Sequence, residues 1–338
     1  MAEIFEIHDR SQFNVSAYSC TDDNSNMRKR LISAFDNFVD IQNESDEEVA
    51  KKIFEDKIDI LVDLTGHTQH GRTGILALHP APVQVNYLGY PGTMGADFVD
   101  YIIADQFVIP ENMKQHYTEK VIWMPDCFQA NDRTRQRPAV PARKDCGLPE
   151  NAFVFCCFNQ TLKITPEVFD VWCRLLKSVP NSLLWLPASN VHAEGNLRRE
   201  AESRGVAAEQ IIMAPLIPTD EHLARLQCAD LFLDTLPYNA GTTCSDALWM
   251  GLPVVTCSGD SFVSRMAGSL LTAISAPELI TYNMKDYYLL ALDLATDRNK
   301  LAIIRNKIIT NRDTSPLFDS VRFTRNLEQA YIQMMDDL

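Results

Sequence analysis

The stretch Leu231–Trp249 reads LFLDTLPYNAGTTCSDALW: an apolar triplet, a loop of small and polar residues, then an apolar helix. A strand that empties into such a loop and resumes as a helix is the repeating unit of an α/β protein with a parallel sheet. Helix starts carry unpaired backbone N–H groups and the positive end of the dipole, which favours a phosphate at Thr242 and Thr243. Asp246, one turn further on, is placed to accept hydrogen bonds from ribose hydroxyls. The competing reading is structural: Thr242 or Thr243 as an ordinary N-cap, with Asp246 as an acid favoured near the dipole. No G-x-G-x-x-G follows a predicted strand, so a dinucleotide site is not indicated.

Outward from this stretch the same unit repeats. On the N-terminal side, strands are predicted at Phe13–Tyr18, Ile58–Leu64, Val83–Leu88 and Tyr101–Ala104, with a helix over Asp46–Glu55. Between Pro125 and Pro149 the pattern breaks into prolines and mixed charges, which marks a linker. A second series starts with the strand Phe153–Phe158 and the helix Pro166–Leu176, with Thr165 as N-cap and Pro166 at the first helical position. Further strands follow at Leu183–Leu186, Ile211–Met213 and Val254–Thr256, and helices at Glu194–Ser203, His222–Gln227 and Thr243–Met250. Val321, Leu327, Tyr331 and Met334 share one face of a last helix over Ser320–Met335. The chain therefore divides into an N-terminal Rossmann-like half over 1–132, a linker over 133–150, a second such half over 151–315 and a C-terminal helix over 316–338. In open sheets of this kind ligands sit beyond the carboxyl ends of strands, so the loops there carry the candidate chemistry.

Phe158–Thr165, FNQTLKIT, is one such loop, and its Lys163 is placed to meet a diphosphate leaving group; the alternative is a solvated loop lysine. In Leu216–Asp230, LIPTDEHLARLQCAD, His222 and Arg225 are spaced to share a helix face that can stack on and hydrogen-bond a base, or else form a surface pair. Gly89, Gly92 and Gly95 around Pro91 make a side-chain-poor loop that lets backbone approach a ligand or simply turns sharply. His67 and His70, in GHTQHGR, are candidate bases or structural histidines. There is no G-x-S-x-G elbow and no acidic cluster of the kind that holds a divalent metal.

The chain has 338 residues, 46% hydrophobic and 22% charged, with a formal net charge of -14. That length suffices for two ordinary domains, and that composition suits a globular protein. The densest basic stretch, Arg133–Arg143, is broken by proline, so non-specific nucleic-acid binding is not expected. The nine cysteines show no zinc spacing and suit a reducing compartment. No signal peptide and no long apolar span is evident, which gives the expectation of a cytoplasmic protein with no membrane partner.

Taken together, LVDLTGHTQHGR (61–72), LHPAPVQVNYLGYPGTMGADFVDYIIAD (78–105), FVFCCFNQTLKITPEVFDVW (153–172) and LFLDTLPYNAGTTCSDALWMGLPVVT (231–256) resemble the catalytic core of the protein O-GlcNAc transferases, particularly the SPINDLY-like bacterial type. The resemblance runs in order from about Phe5 to the C-terminus. It implies a GT-B type α/β fold, two Rossmann-like domains with the donor cleft between them. It also implies an inverting transfer of GlcNAc from UDP-GlcNAc to a Ser or Thr hydroxyl of a protein, without a metal or other cofactor.

By the same resemblance Lys163 matches a lysine on the diphosphate, Gln160 a neighbouring donor-site residue, and Thr242 and Thr243 the phosphate-binding pair. Asp246 matches the ribose ligand, His222 and Arg225 the uracil site, and the backbone near Ile217 also reads the base. Pro91 and Gly92 lie in the loop lining the sugar pocket, and Asp56 aligns with an acid assigned a part in catalysis. Several features depart from the family pattern. Its core starts upstream of Met1 with a strand and a histidine-bearing loop, and a tetratricopeptide array precedes it, so the chain reads as the N-terminally truncated catalytic region. Gly241 stands where many members have histidine, and Thr219 where some have lysine. The other readings to be weighed are a non-catalytic UDP-binding remnant and a sugar-nucleotide epimerase.

Overall fold

A computed structural model describes residues 1–188 and 190–338. The chain forms two compact units, Met1–Thr134 with Pro316–Leu338, and Arg135–Ser315. In the first unit helix α1 (Ala2–Ile7) precedes β1 (Ser16–Ser19), α2 (Asn26–Ala34), β2 (Asn37–Asp40), α3 (Asp46–Glu55), β3 (Ile60–Asp63), α4 (Thr73–Ala77), β4 (Val83–Asn86), β5 (Tyr101–Ala104) and β6 (Lys120–Trp123). β1 and β2 pair in parallel, and β3-β4-β5-β6 form a four-stranded parallel sheet. β1 is shorter than its alternating sequence suggests. The Phe13 N–H donates to the Asp9 carbonyl and the Asp9 carboxylate gathers Ser11 and Gln12, so this turn holds residue 13 out of the strand.

The second unit contains β7 (Phe153–Cys156), α5 (Pro166–Ser178), β8 (Ser182–Pro187), α6 (Val191–Ser203), β9 (Ile211–Ala214), α7 (Thr219–Leu226), β10 (Leu231–Leu233), α8 (Thr242–Trp249), β11 (Val254–Cys257), α9 (Met266–Ala273), β12 (Ile280–Thr281), α10 (Met284–Thr296) and α11 (Arg298–Arg312). Its strands lie in the order β12-β11-β10-β7-β8-β9, all parallel. The strands are apolar because helices cover both faces, and β7 is buried along its whole length. α5 begins as its sequence dictates: the Thr165 hydroxyl accepts from the Val168 N–H, a cap worth about 1 kcal/mol, and Pro166 fills the first turn. α7 starts three residues before the predicted His222, because Pro218 turns the chain into the helix at Thr219.

The final helix α12 (Ser320–Asp336) belongs to the first unit, where Phe323, Leu327, Ala330 and Met334 pack with Ile4, Val83, Val85 and Tyr101. The strand order in the second unit is informative. β7, β8 and β9 build outward in one direction, and β10, β11 and β12 in the other. The reversal falls between β7 and β10, and the loops leaving those two strands diverge there into the crevice that open α/β sheets use for ligands. Those loops are 157–165 and 234–241.

Candidate functional site

At the reversal, Asp234 directly follows β10 and is buried, 1% exposed. One carboxylate oxygen accepts from the Thr235 N–H at 2.8 Å, the Ala240 N–H at 2.7 Å and Asn159 Nδ2 at 3.2 Å. The other accepts from the Thr256 hydroxyl at 2.7 Å. The carboxylate thereby holds both ends of the 235–240 loop. Burial pushes Asp234 up to about 6, against the pull of those hydrogen bonds. Asn159, from the β7 loop, donates from Nδ2 and accepts the Thr243 hydroxyl at Oδ1.

Lys163 approaches the same loop from the other side. Its Nζ donates to the Asn239 carbonyl at 3.3 Å and lies 3.7 Å from the Tyr238 ring centroid. It is half-buried, so the solvated-lysine alternative does not hold. Burial draws its ammonium below the ordinary lysine value, and the Asp234 charge opposes that. Gln160 is exposed one turn earlier. α8 starts at Thr242 with Gly241 as its N-cap, and no side chain caps that end. Neither threonine therefore acts as the cap: the Thr243 hydroxyl turns to Asn159 and Thr242 is exposed. The α8 end therefore keeps backbone N–H groups that no side chain caps, and the Lys163 ammonium sits on the loop that leads into it.

Asp246, the ribose candidate, is paired with Arg135 at 2.5 Å, and the Arg135 guanidinium lies over the Trp249 ring. Burial raises the Asp246 carboxyl while Arg135 lowers it. The basic stretch read as linker is thus tied to the second unit at three points, with Arg137 on Asp313 and Arg143 on Asp230.

The surface-pair alternative for His222 and Arg225 also fails. Arg225 is 5% exposed and donates Nη1 to the Pro215 carbonyl at 2.6 Å. Its Nε and Nη2 converge on His222 Nδ1 at 3.0 and 2.8 Å. Because arginine only donates, Nδ1 carries no proton and the neutral ring holds it on Nε2. Burial, then Arg225, lowers His222 to about 4. The Phe158 ring packs edge-on to the imidazole and lies under the guanidinium. Ile217 sits just after Pro215 and is partly exposed, beside the very exposed Leu216.

In the first unit the glycine loops are held by sterics. A Cβ on Gly89 would lie 1.9 Å from the Leu64 carbonyl oxygen, and one on Gly66 would lie 2.4 Å from the Tyr90 Cβ. Only glycine allows that approach of the loops after β3 and β4. The Gly92 carbonyl accepts from Asn86 Nδ2 at 2.9 Å, which fixes the Pro91–Gly92 turn. His67 joins the same scaffold, with Nε2 at 3.0 Å from the Met94 carbonyl and its ring edge-on to Tyr90, and both His67 and His70 are exposed. Asp56 caps the C-terminus of α3, is exposed, and accepts the Tyr18 hydroxyl at 2.7 Å. Burial, reinforced by Asp56, raises the Tyr18 phenol well above its ordinary value. Among the described residues no cluster of His, Cys, Asp or Glu is placed to hold a metal ion.

Sequence reading missed Asp234, Asn159, Arg135 and Tyr238. The first two were legible in kind, as polar residues closing apolar strands, but their partnership spans 75 residues of chain.

Two α/β units with parallel sheets, the second with its strand order reversing between β7 and β10, define a GT-B type glycosyltransferase fold. The profile of glycosyl transferase family 41 matches residues 1–136 and 129–327, and the chain belongs to that family. Over 99% of its length it is 38% identical to the Arabidopsis thaliana probable UDP-N-acetylglucosamine–peptide N-acetylglucosaminyltransferase SEC, of which the match covers 35%. It is 34% identical to the Arabidopsis thaliana SPINDLY relative over 97% of the chain and 36% of that protein. The chain thus spans about a third of these curated relatives. A mutant of the Thermobaculum terrenum O-GlcNAc transferase superimposes with a TM-score of 0.93 at 33% identity, covering 99% of this chain and 64% of that one. Anabaena HepE, solved with UDP and glucose, shares the fold with a TM-score of 0.62 at 13% identity.

Proposed function

We propose that the chain transfers GlcNAc from UDP-GlcNAc to Ser or Thr hydroxyls of proteins, inverting the anomeric carbon and using no metal. The observation that carries this reading is the convergence of Lys163 and the α8 start, which no side chain caps, on one loop at the strand reversal. The names of the SEC and SPINDLY relatives point to the same donor and to a peptide acceptor. In the step, the acceptor oxygen bonds to the anomeric carbon as the bond from that carbon to the β-phosphate oxygen breaks. The pair of electrons leaves with UDP, and the hydroxyl proton passes to a base.

Lys163 and the α8 dipole stabilise the departing diphosphate, with the backbone N–H groups at Thr242 and Thr243 as its ligands. Preorganised donors of this kind are worth about 2.7–4 kcal/mol each. Asp246 takes the ribose, His222 and Arg225 with the Ile217 backbone take the uracil, and Gln160, Pro91 and Gly92 border the sugar. Asp56 accepts the hydroxyl proton, directly or through water, while Tyr18 keeps its own. No disulfide joins any of the nine cysteines, and no helix among the described residues is long and apolar enough to cross a membrane; the setting we assign is cytoplasmic.

The test is calorimetric titration of the purified chain with UDP and then UDP-GlcNAc, followed by turnover with a Ser/Thr peptide. Saturable UDP binding, with UDP released only when peptide is present, is the expected result. Binding without peptide-dependent release would leave a UDP-binding protein and remove the transferase. UDP release without peptide would favour donor hydrolysis or epimerase-type chemistry.

A further inference from the structure

The hydrogen bonds at the end of β10 have a direction. A carboxylate accepts and cannot donate, so Asp234 fixes which end of the Asn159 amide faces it. Nδ2 points to Asp234 Oδ1 at 3.2 Å and to the Thr235 hydroxyl at 2.7 Å. Oδ1 is left facing Thr243, whose hydroxyl must then donate to it. The polarity of this chain runs from a buried acid, through an amide, to the first turn of α8. The same acid clamps the Thr235 and Ala240 N–H groups, and the loop between them presents the Asn239 carbonyl to Lys163. Residue 234 is itself immobilised, because its carbonyl accepts the Tyr287 hydroxyl at 2.9 Å and Tyr287 is fully buried.

Resting on the reading of this loop as a diphosphate site, we infer that Asp234 is a positioning residue that acts through Asn159. It sets the donor direction of Thr243 and holds the α8 start and Lys163 in the arrangement that receives the diphosphate. Asp234 itself is buried away from any ligand. Its contribution is to make one hydrogen-bond pattern the only satisfiable one, since an unmet polar group in so dry a place is costly. With asparagine at 234 the Thr235, Ala240 and Asn159 N–H donors face a neutral amide oxygen in place of a carboxylate, so the hold on the loop and on Asn159 weakens and the Thr243 hydroxyl is less firmly directed.

The test compares UDP with uridine on the full chain, because uridine reports the base and ribose contacts without the diphosphate. Asp234→Asn and Asn159→Ala are expected to weaken UDP binding about ten- to a hundredfold while uridine binding stays within about threefold, with cooperative unfolding retained. Thr243→Val should do the same, Thr243→Ser should restore UDP binding, and Asp234→Asn combined with Thr243→Val should lose no more than the worse single variant. Equal losses for UDP and uridine, unchanged UDP binding in Asp234→Asn, or fully additive losses would overturn the inference. Amide hydrogen exchange over 235–245 supplies a readout that needs no ligand. Faster exchange confined to that stretch in Asp234→Asn is expected, and unchanged rates overturn the positioning role. If the unmodified chain binds no UDP, the donor-site reading fails by itself, and the exchange result still decides whether Asp234 organises the loop.

Discussion

The loops at the strand reversal of the second unit and the glycine loops of the first unit are ordered by different means. Around β7 and β10 the order comes from buried side chains, each at most 1% exposed: Asn159 donates to Asp234, and Asn239 donates to the Thr235 and Cys257 carbonyls. After β3 and β4 it comes chiefly from close backbone contact at Gly66 and Gly89, with Asn86 Nδ2 on the Gly92 carbonyl, and the groups able to do chemistry, His67 and His70 there and Asp56 at the end of α3, are exposed. A site meant to hold charge in a fixed geometry benefits from the first arrangement, since preorganised dipoles in a dry place need no reorganisation. A surface that admits a second substrate can rely on the second. Sensitivity to substitution should follow the same line, polar side chains in one region and glycines in the other.

Five measurements test that contrast. Lys163→Ala should have the largest effect, lowering turnover roughly two to three orders of magnitude if its loss matches about 2.7–4 kcal/mol of leaving-group stabilisation. Steady-state kinetics with a peptide acceptor would show it, and unchanged turnover would take the lysine out of the mechanism. Asp56→Asn should lower kcat about a hundredfold, the low end for a general base, because water can reach the exposed position. A loss of less than about threefold would move the proton acceptor elsewhere.

Asp246→Ala should weaken UDP binding about tenfold, close to 1.4 kcal/mol, when measured calorimetrically. Gly89→Ala should leave UDP binding to the second unit intact and lower the melting temperature by a few degrees, as overpacking costs about 1–3 kcal/mol. An unchanged melting temperature would refute the steric account of that loop. The smallest effect concerns pH. His222, held at about 4, contributes stability that is complete above about 6.5 and is lost as pH falls toward 4. Asp234, held at about 6, works the other way, and its contribution declines as pH rises from about 4 to 6. Between pH 4.5 and 6.5, His222→Gln should therefore flatten the rise of melting temperature with pH, and Asp234→Asn should steepen it. A shift of the same sign in both would contradict the burial that sets these values.

Most strands and helices were legible because their periodicity is local. Tyr101–Ala104 and Leu231–Leu233 coincide with their predicted bounds, and so does the helix Asp46–Glu55, whose Ser45–Glu48 capping box marks its start. The strand Phe13–Tyr18 was overextended because alternation cannot register a turn made by the Asp9 carboxylate. The candidate residues Lys163, Thr242, Thr243, His222 and Arg225 were found as types at strand ends and helix starts. Whether each was solvated or engaged was not legible. His222 and Arg225 read equally well as a surface pair until the Phe158 ring and the Pro215 carbonyl were seen to enclose them.

By itself the sequence determined the α/β class, the succession of strand, loop and helix, and the residue types brought to the strand ends, because these follow from short-range pattern and backbone geometry. The tertiary structure decided that β10 lies beside β7, which brings residue 234 to residue 159 and residue 163 to residue 239. It also decided that neither Thr242 nor Thr243 caps α8, and that Arg135 reaches Asp246. The reason is the same in each case: a buried polar group must find its partner in space, and the chain distance to that partner leaves no periodic trace in the sequence.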